Sequence, residues 1–177
     1  GGQRFAEELG ADLYTLPGYF GSQRWTYYRL RTEGQNTLVI GGENQSTTGS
    51  AEIISFNDTS ATLDLTPAYP TAEKIHRTAS LASGGATIDD EIILKESAPI
   101  VWSMHTKAKA TASGKTATLS RGKITLTAEI ISPPDATFTL APVQFAESQR
   151  QDQKVQKLSV NIPATDKTRI TIRFTQK

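Results

Sequence analysis

Short blocks of alternating apolar and polar residues run through most of this chain and constrain its fold more than any other feature. The clearest block is 123–130, in which every second residue is apolar. One face of an extended strand would therefore carry Ile124, Leu126, Ala128 and Ile130. Apolar residues at helical spacing are almost absent elsewhere. The pattern predicts β-structure with little or no helix.

Candidate strands recur at intervals of roughly 8–12 residues, which is typical of stacked antiparallel sheets. Clean alternation implies one buried and one solvated face, and this favours a large antiparallel β-sandwich over a closed barrel. Neither a linker nor a repeat interrupts the chain, so residues 1–177 are predicted to form a single domain. The predicted strands are Gln3–Leu9, Tyr27–Arg31, Asn36–Ile40, Ala51–Asn57, Ala61–Thr66, Lys74–Ala82, Ala86–Lys95, Pro99–Thr106, Ala108–Ala112, Thr116–Ser120, Lys123–Ser132, Thr137–Pro142, Gln156–Ile162 and Arg169–Thr175.

Charge and composition exclude several classes of function. The net charge is +1 with both signs mixed, whereas a nucleic-acid-binding domain needs a basic patch. No apolar run reaches the length of a membrane span. The chain has no cysteine, which excludes disulfides, thiolate zinc sites and cysteine nucleophiles. We therefore expect neither a nucleic-acid partner nor a membrane partner.

Familiar catalytic motifs are missing. The two histidines, His76 and His105, lie in alternating blocks and would need a carboxylate or hydroxyl partner for catalysis, so a structural role is favoured for each. Neither a Gly-x-Ser-x-Gly motif nor a phosphate-binding glycine pattern occurs. The acidic run at 89–91 would alternate between strand faces and is interpreted as a solvated stretch rather than a metal site.

Aromatic residues concentrate in the segment 14–28, which holds four of the five tyrosines and one of the two tryptophans. Flat rings with polar rims suit stacking on sugars, and nearby arginines suit carboxylate or sulfate groups. The alternative is that these rings fill a core beneath a long loop. The residues concerned are Tyr14, Tyr19, Phe20, Trp25, Tyr27 and Tyr28, with Arg4, Arg24, Arg29 and Arg31.

Three N-terminal segments carry a more specific signal: Arg4–Tyr14, Leu16–Phe20 and Tyr28–Ile40. Together they resemble the heparinase II/III-like family of bacterial polysaccharide lyases. Two later segments, Val101–Thr106 and Gly122–Pro133, are similar to the C-terminal region of that family. The resemblance is patchy but follows chain order, and the N-terminal segments are its specific part.

The resemblance implies a fold and an activity. In the family a helical toroid precedes a β-sandwich, and uronic-acid-containing glycans are cleaved by β-elimination between them. This chain would be the sandwich, with an acidic polysaccharide and the N-terminal helical domain of the parent chain as partners. A His-x-His-x-Asp-x-Gly motif would lie just before Gly1. We therefore expect the fragment alone to be inactive, and its parent to be a periplasmic or secreted bacterial protein.

The resemblance also implies site residues. Tyr19 matches a tyrosine that faces the cleft and is the candidate catalytic residue. Tyr14, Arg24 and Trp25 are the candidate substrate-binding residues.

A divalent metal, Ca²⁺ or Zn²⁺, is implied at Glu8 and Gln35. Glu8 stands where many members of the family have Asp, and Gln35 stands where many have His. A glutamine amide oxygen suits Ca²⁺ but is a poor zinc ligand, so zinc is disfavoured and an altered or lost metal site remains open.

Two alternatives to a functional lyase remain. One is a non-catalytic carbohydrate-binding or structural β-sandwich module, whose aromatic segment would grip sugar. The other is a relative of the lyases that has lost activity.

Overall fold

The computed structural model describes residues 2–176, which form ten strands and three short 3₁₀ turns. Among these residues no helix is long and apolar enough to cross a membrane. The turns are Ser22–Thr26, Thr32–Gly34 and Thr66–Ala68. The strands are β1 Leu38–Ile40, β2 Glu52–Phe56, β3 Ser60–Asp64, β4 Ala72–Ala82, β5 Gly85–Thr106, β6 Lys109–Ser113, β7 Thr116–Arg121, β8 Ile124–Ser132, β9 Phe138–Pro142 and β10 Gln156–Gln176.

All strand pairs in the described residues are antiparallel and belong to one large sheet. Its order is β2-β3-β4-β5-β10-β8-β7-β6, and β1 and β9 add to β5 and β10 respectively. The centre of the sheet is the long β5–β10 pair, which runs from Gln156 opposite Thr106 to Thr175 opposite Gly85. The predicted all-β, antiparallel fold class is confirmed.

The two ends of the β5–β10 pair have different neighbours, and this produces two layers. At one end β4 and β8 flank the pair, and at the other end β1 and β9 flank it. Register shifts between Ile162 and Lys167 separate the two ends. A single apolar core joins both, since it buries Ile92 and Ile172 from one end together with Trp102 from the other. The sheet therefore packs on itself as a sandwich.

Two long strands, β5 and β10, each replace two consecutive predicted strands. The segments 86–95 and 99–106 form one continuous strand, β5, although Pro99 lies between them. Proline lacks an N–H, but a register shift in β10 removes the need for one, and the Pro99 carbonyl accepts a bond from Gly41. In the same way 156–162 and 169–175 are parts of β10.

Two predicted strands are wrong, Gln3–Leu9 and Tyr27–Arg31, and residues 2–37 contain no strand. The first segment makes one backbone bond to the edge of β5, from the Glu7 N–H to the His105 carbonyl, but the His105 N–H donates to the Asn36 side chain, so no strand ladder forms. The second segment is a turn closed by the Arg31 N–H and the Tyr27 carbonyl. Alternation alone did not show that these two segments lack a neighbouring strand to pair with.

The interpretation of the acidic run 89–91 as a solvated stretch is wrong for Asp90, which is fully buried. Its carboxylate accepts two bonds from the neighbouring β4 strand, from Arg77 Nε at 2.7 Å and Nη2 at 2.9 Å. Arg77 stands directly opposite Asp90 in the β4–β5 register. A buried carboxylate is tolerated here because a paired cation faces it.

Candidate functional site

Polar side chains anchor the irregular N-terminal segment 2–37 to the sandwich. Asp12 is buried and accepts bonds from the Arg150 N–H at 2.7 Å and from Gln149 Nε2 at 3.2 Å. Arg29 Nη1 donates to the Leu9 carbonyl at 2.5 Å, and its other nitrogens donate to the Arg150 carbonyl. The segment is thereby fixed on both sides of the aromatic stretch.

A second anchor is the buried pair formed by Tyr28 and His105. The Tyr28 hydroxyl lies 2.9 Å from His105 Nε2, and Asn36 Oδ1 lies 3.3 Å from His105 Nδ1. Burial, with a smaller contribution from Lys157, lowers the pKa of His105 to about 4. Burial also raises the pKa of Tyr28 above its usual value. The pair is therefore neutral at pH 7, with Tyr28 donating to Nε2 and Nδ1–H facing Asn36.

Asn36 joins three elements through one side chain. Its Oδ1 accepts the His105 backbone N–H at 2.7 Å, and its Nδ2 donates to the Glu7 carbonyl at 3.0 Å. These bonds hold the first residues of the segment against β5. The arrangement supports the structural role expected for His105.

The tight turn after Tyr28 brings charged groups together. Glu33 pairs with Arg31 and also accepts a bond from Lys157 Nζ of β10 at 3.0 Å. Burial raises the pKa of Glu33, but the bond and charge of Lys157 together with Arg31 outweigh this and leave it lowered. Gly34 permits the turn, since a Cβ there would lie 1.9 Å from the Tyr28 carbonyl oxygen.

Four predicted site residues and Phe20 form one group, which we call the aromatic–arginine cluster: Tyr14, Tyr19, Phe20, Arg24 and Trp25. The Tyr19 ring centroid lies 5.1 Å from those of both Tyr14 and Phe20. The Arg24 guanidinium carbon lies 5.5 Å from the Tyr19 ring centroid and 4.8 Å from that of Trp25. Such stacking fixes the plane of the guanidinium.

Exposure differs within the cluster. Tyr14 is 65% exposed and Phe20 is 78% exposed, whereas Tyr19 is only 4% exposed. The outer rings could therefore meet a ligand or a second protein surface directly. The Tyr19 side chain is covered in this arrangement, and its catalytic role stays a prediction.

Arg24 has no counter-ion within the described part of the chain. Its guanidinium makes no hydrogen bond or ion pair there, and its Nε is buried without a partner. A guanidinium held by two rings and left without a carboxylate is suited to an external anion. This is the strongest indication of binding at the cluster.

The two predicted metal ligands bond to different backbone groups. Glu8 is exposed, and its carboxylate accepts the Gly10 N–H at 3.0 Å. Gln35 is half-buried, and its Nε2 donates to the Arg29 carbonyl at 2.8 Å. Residues 2–176 contain no group of three or more His, Cys, Asp or Glu placed to hold a metal. This donor set does not fit a zinc site, and metal binding stays a prediction.

Sequence reasoning missed the residues that anchor the segment, chiefly Asp12, Asn36 and Lys157. Asn36 directly follows Gln35 in the segment Tyr28–Ile40, which carries the family resemblance, so its position was a usable signal. Asp12 likewise lies in Arg4–Tyr14, but its partner Arg150 is 138 residues away; Lys157 carries no local signal, because its partner Glu33 is 124 residues away.

Comparison with known proteins identifies solved structures that share this fold. No protein-family model matches the sequence, and no curated protein matches it. Solved structures do match, among them the heparinase III product of gene BT4657, at 16% identity and a TM-score of 0.76 over 99% of this chain. A heparinase III crystal structure matches at 12% identity and 0.77, and the heparan sulfate lyase HepC from Pedobacter heparinus at 13% and 0.76.

These likenesses concern one part of larger proteins. The chain spans only 28% of the length of the two heparinase III chains and 29% of HepC, and it matches the C-terminal part of heparinase III. At such low identity the match shows the fold. The resemblance to the sandwich portion of the heparinase II/III-like lyases is confirmed at that level.

Proposed function

We propose that this chain is the C-terminal sandwich of a polysaccharide lyase, and that its aromatic–arginine cluster contacts a uronic-acid-containing glycan. The fold shared with the C-terminal part of heparinase III supports a domain related to polysaccharide lyases. The observation that carries the proposal is Arg24, a stacked guanidinium with no carboxylate partner in the described residues.

The cluster supplies what an acidic glycan needs. β-Elimination removes the proton next to the uronate carboxylate and protonates the leaving oxygen, so the carboxylate charge must be neutralised. Arg24 presents a planar fork for a carboxylate or a sulfate. The exposed ring of Tyr14 and the partly exposed ring of Trp25 can stack on sugar faces.

The remaining machinery would come from an N-terminal helical domain of the same parent chain. Phe20, the most exposed ring of the cluster, is suited to lie against such a domain. The main acid/base residue of the elimination would also belong to it, with Tyr19 as the catalytic group that this chain contributes. A periplasmic or secreted bacterial location is part of the same proposal.

The chain alone should therefore lack lyase activity. We expect no rise in the absorbance of unsaturated uronides when it is incubated with heparan sulfate, alginate or hyaluronan. The longer parent protein should cleave one of the three. Cleavage by the 177-residue chain alone would contradict the division of roles.

Binding tests the cluster directly. Arg24→Ala should weaken the affinity of the chain for its acidic polysaccharide about tenfold or more, because a hydrogen bond to a charged group contributes about 1.5–3 kcal/mol. Titration calorimetry at low salt measures this loss. Arg24→Lys keeps the charge but loses the planar fork, so its affinity should lie between those of the unmodified chain and of Arg24→Ala.

Arg173→Ala is the matched control. It removes the same charge from an exposed arginine whose only ion pair in the described residues, to Glu129, is 3.6 Å long. Its affinity should equal that of the unmodified chain. Equal losses of affinity in the Arg24 and Arg173 variants would show that only net charge matters for binding, and would refute a binding site at the cluster.

A non-catalytic carbohydrate-binding module is the second candidate. The burial of Tyr19 favours it, because a side chain that is only 4% exposed has little surface with which to contact a substrate. Tyr19→Phe in the parent protein separates the two candidates. Turnover should fall by at least about a hundredfold if Tyr19 is an acid or a base, and should not change if the cluster only binds.

A further inference from the structure

We propose that a pocket beside the cluster is a separate subsite for a neutral, hydroxyl-rich sugar ring. This Ser103 pocket has a volume of about 290 Å³, and Val39, Gly42 and Val101 line it together with the polar residues Arg31, Glu33, Glu43, Asn44, Ser103 and Lys157. A smaller cavity of about 170 Å³ adjoins it, shares Arg31 and Asn44, and reaches Trp25. The inference extends the proposed function, since the two cavities lead from the Trp25 side of the cluster towards β5 and β10.

Ser103 supplies the first unmet hydrogen-bonding group. The residue is 2% exposed, and its hydroxyl has no partner within the described residues. Ser103 also borders a larger cavity on the Trp102 and Met104 side of β5, but its side chain shares a strand face with Val101, which lines the Ser103 pocket. A buried hydroxyl without a partner costs about 1–3 kcal/mol, so its presence calls for a ligand group or an ordered water.

Arg31 supplies the second hydrogen-bonding group that lacks a partner in the described residues. Its Nη2 pairs with Glu33, but its Nε is buried and without a partner in the described residues. Arg31 lines both cavities. Two of the four buried polar side-chain atoms that lack partners in the described structure therefore belong to residues of this one pocket.

The charges of the pocket select against an anion. Arg31 and Lys157 are both paired with Glu33, and Glu43 makes no ion pair within the described structure. An anionic ligand would meet the Glu43 carboxylate without a free cation to offset it. A sugar hydroxyl can instead donate to Glu43, and it can accept from Ser103 or Arg31 when that side chain turns towards the cavity, since Ser103 Oγ and Arg31 Nε are themselves buried. The volume of the pocket lies just below the range of small-molecule pockets, which begins at about 300 Å³.

Titration with neutral methyl glycosides, followed by backbone amide shifts in NMR, tests the subsite. We expect at least one of methyl glucopyranoside and methyl N-acetylglucosaminide to bind in the millimolar range, with shifts around residues 31–44 and at Ser103. Ser103→Ala should weaken this binding about three- to tenfold, the effect of one neutral hydrogen bond.

Thr127→Val is the control for that variant. Thr127 carries another buried hydroxyl without a partner, but it lines neither cavity. Both substitutions remove an unsatisfied group and should leave thermal stability unchanged or raised. Only Ser103→Ala should lose glycoside affinity, which separates a binding role from a structural one.

Three results would overturn the subsite: no glycoside binding, unchanged binding by Ser103→Ala, or tighter binding of methyl glucuronide than of the neutral glycosides. None of these results changes the outcome expected for the Arg24 experiment, which uses an acidic polymer. Conversely, Arg24→Ala can fail to change polymer affinity while the neutral glycosides still bind at Ser103. The two proposals are therefore tested independently.

Discussion

Replacing Asp90 with alanine should lower the free energy of unfolding by about 3–5 kcal/mol. Asp90 is fully buried, and Arg77 donates two hydrogen bonds to it. Removal of the carboxylate leaves a largely buried guanidinium without a counter-charge. Burial lowers the pKa of Arg77, but the charge and bonds of Asp90 outweigh this and leave it raised. Urea denaturation of the purified chain measures the change.

Glu129→Ala provides the comparison for this substitution. Glu129 forms an exposed pair with Arg173 at 3.6 Å, also across two neighbouring strands. Exposed pairs contribute about 0–1 kcal/mol, so this variant should unfold almost as the unmodified chain does. Similar losses in the two variants would show that burial does not set the strength of the Arg77–Asp90 pair.

The buried pair also connects the core to the candidate site. Arg77 Nη1 donates to the Asn36 carbonyl at 3.0 Å, and the Asn36 side chain bonds to His105 and Glu7. Loss of Asp90 should therefore loosen the irregular N-terminal segment as well as the sheet. Hydrogen exchange at the Glu7 and His105 amides would report this.

Alternation predicted the strands whose partners follow directly in the chain. The β6–β7–β8 meander is the best case, because its turns carry Gly114 and Gly122 at positive φ between clearly alternating blocks. These local signals specify both the strand and its neighbour. The length of β5 and β10 was not predicted, because their continuity depends on long-range pairing.

The same limit explains the misreading of Asp90. Asp90 shares its strand face with the apolar Ile92 and Leu94, which indicated burial, but no local feature indicated the cation that a buried carboxylate requires. Only the β4–β5 register places Arg77 opposite it. A single sequence does not specify the pairing of strands, so it does not reveal which carboxylate finds a cation.

The candidate site shows a similar division. The aromatic content of residues 14–28 and the family resemblance led to Tyr14, Tyr19, Arg24 and Trp25, which the structure brings together. The rings that contact each other are near in sequence. By contrast, Arg31, Ser103 and Lys157 meet only through folding, and neither motif nor composition indicated the Ser103 pocket.

Acid should destabilise this protein through His105, whose folded-state pKa is about 4 because of its burial and, to a smaller extent, Lys157. An unfolded histidine has a pKa of about 6.5, so between these values the unfolded state binds a proton that the folded state does not. Stability is therefore present above about pH 6.5 and is lost as the pH falls towards 4, by about 3 kcal/mol in all.

Other groups also titrate in acid, so the test compares variants. His105→Gln removes the titration while keeping an amide that can accept the Tyr28 hydroxyl bond, and its stability should fall less steeply between pH 6.5 and 4. His76→Gln is the control, because His76 is partly exposed and its only ion pair in the described structure, with Asp64, is 3.8 Å long. If the slopes of the His105 and His76 variants coincide, His105 is not the acid-sensitive group. A shallower slope for His105→Gln alone would identify His105 as a group whose protonation destabilises the folded chain.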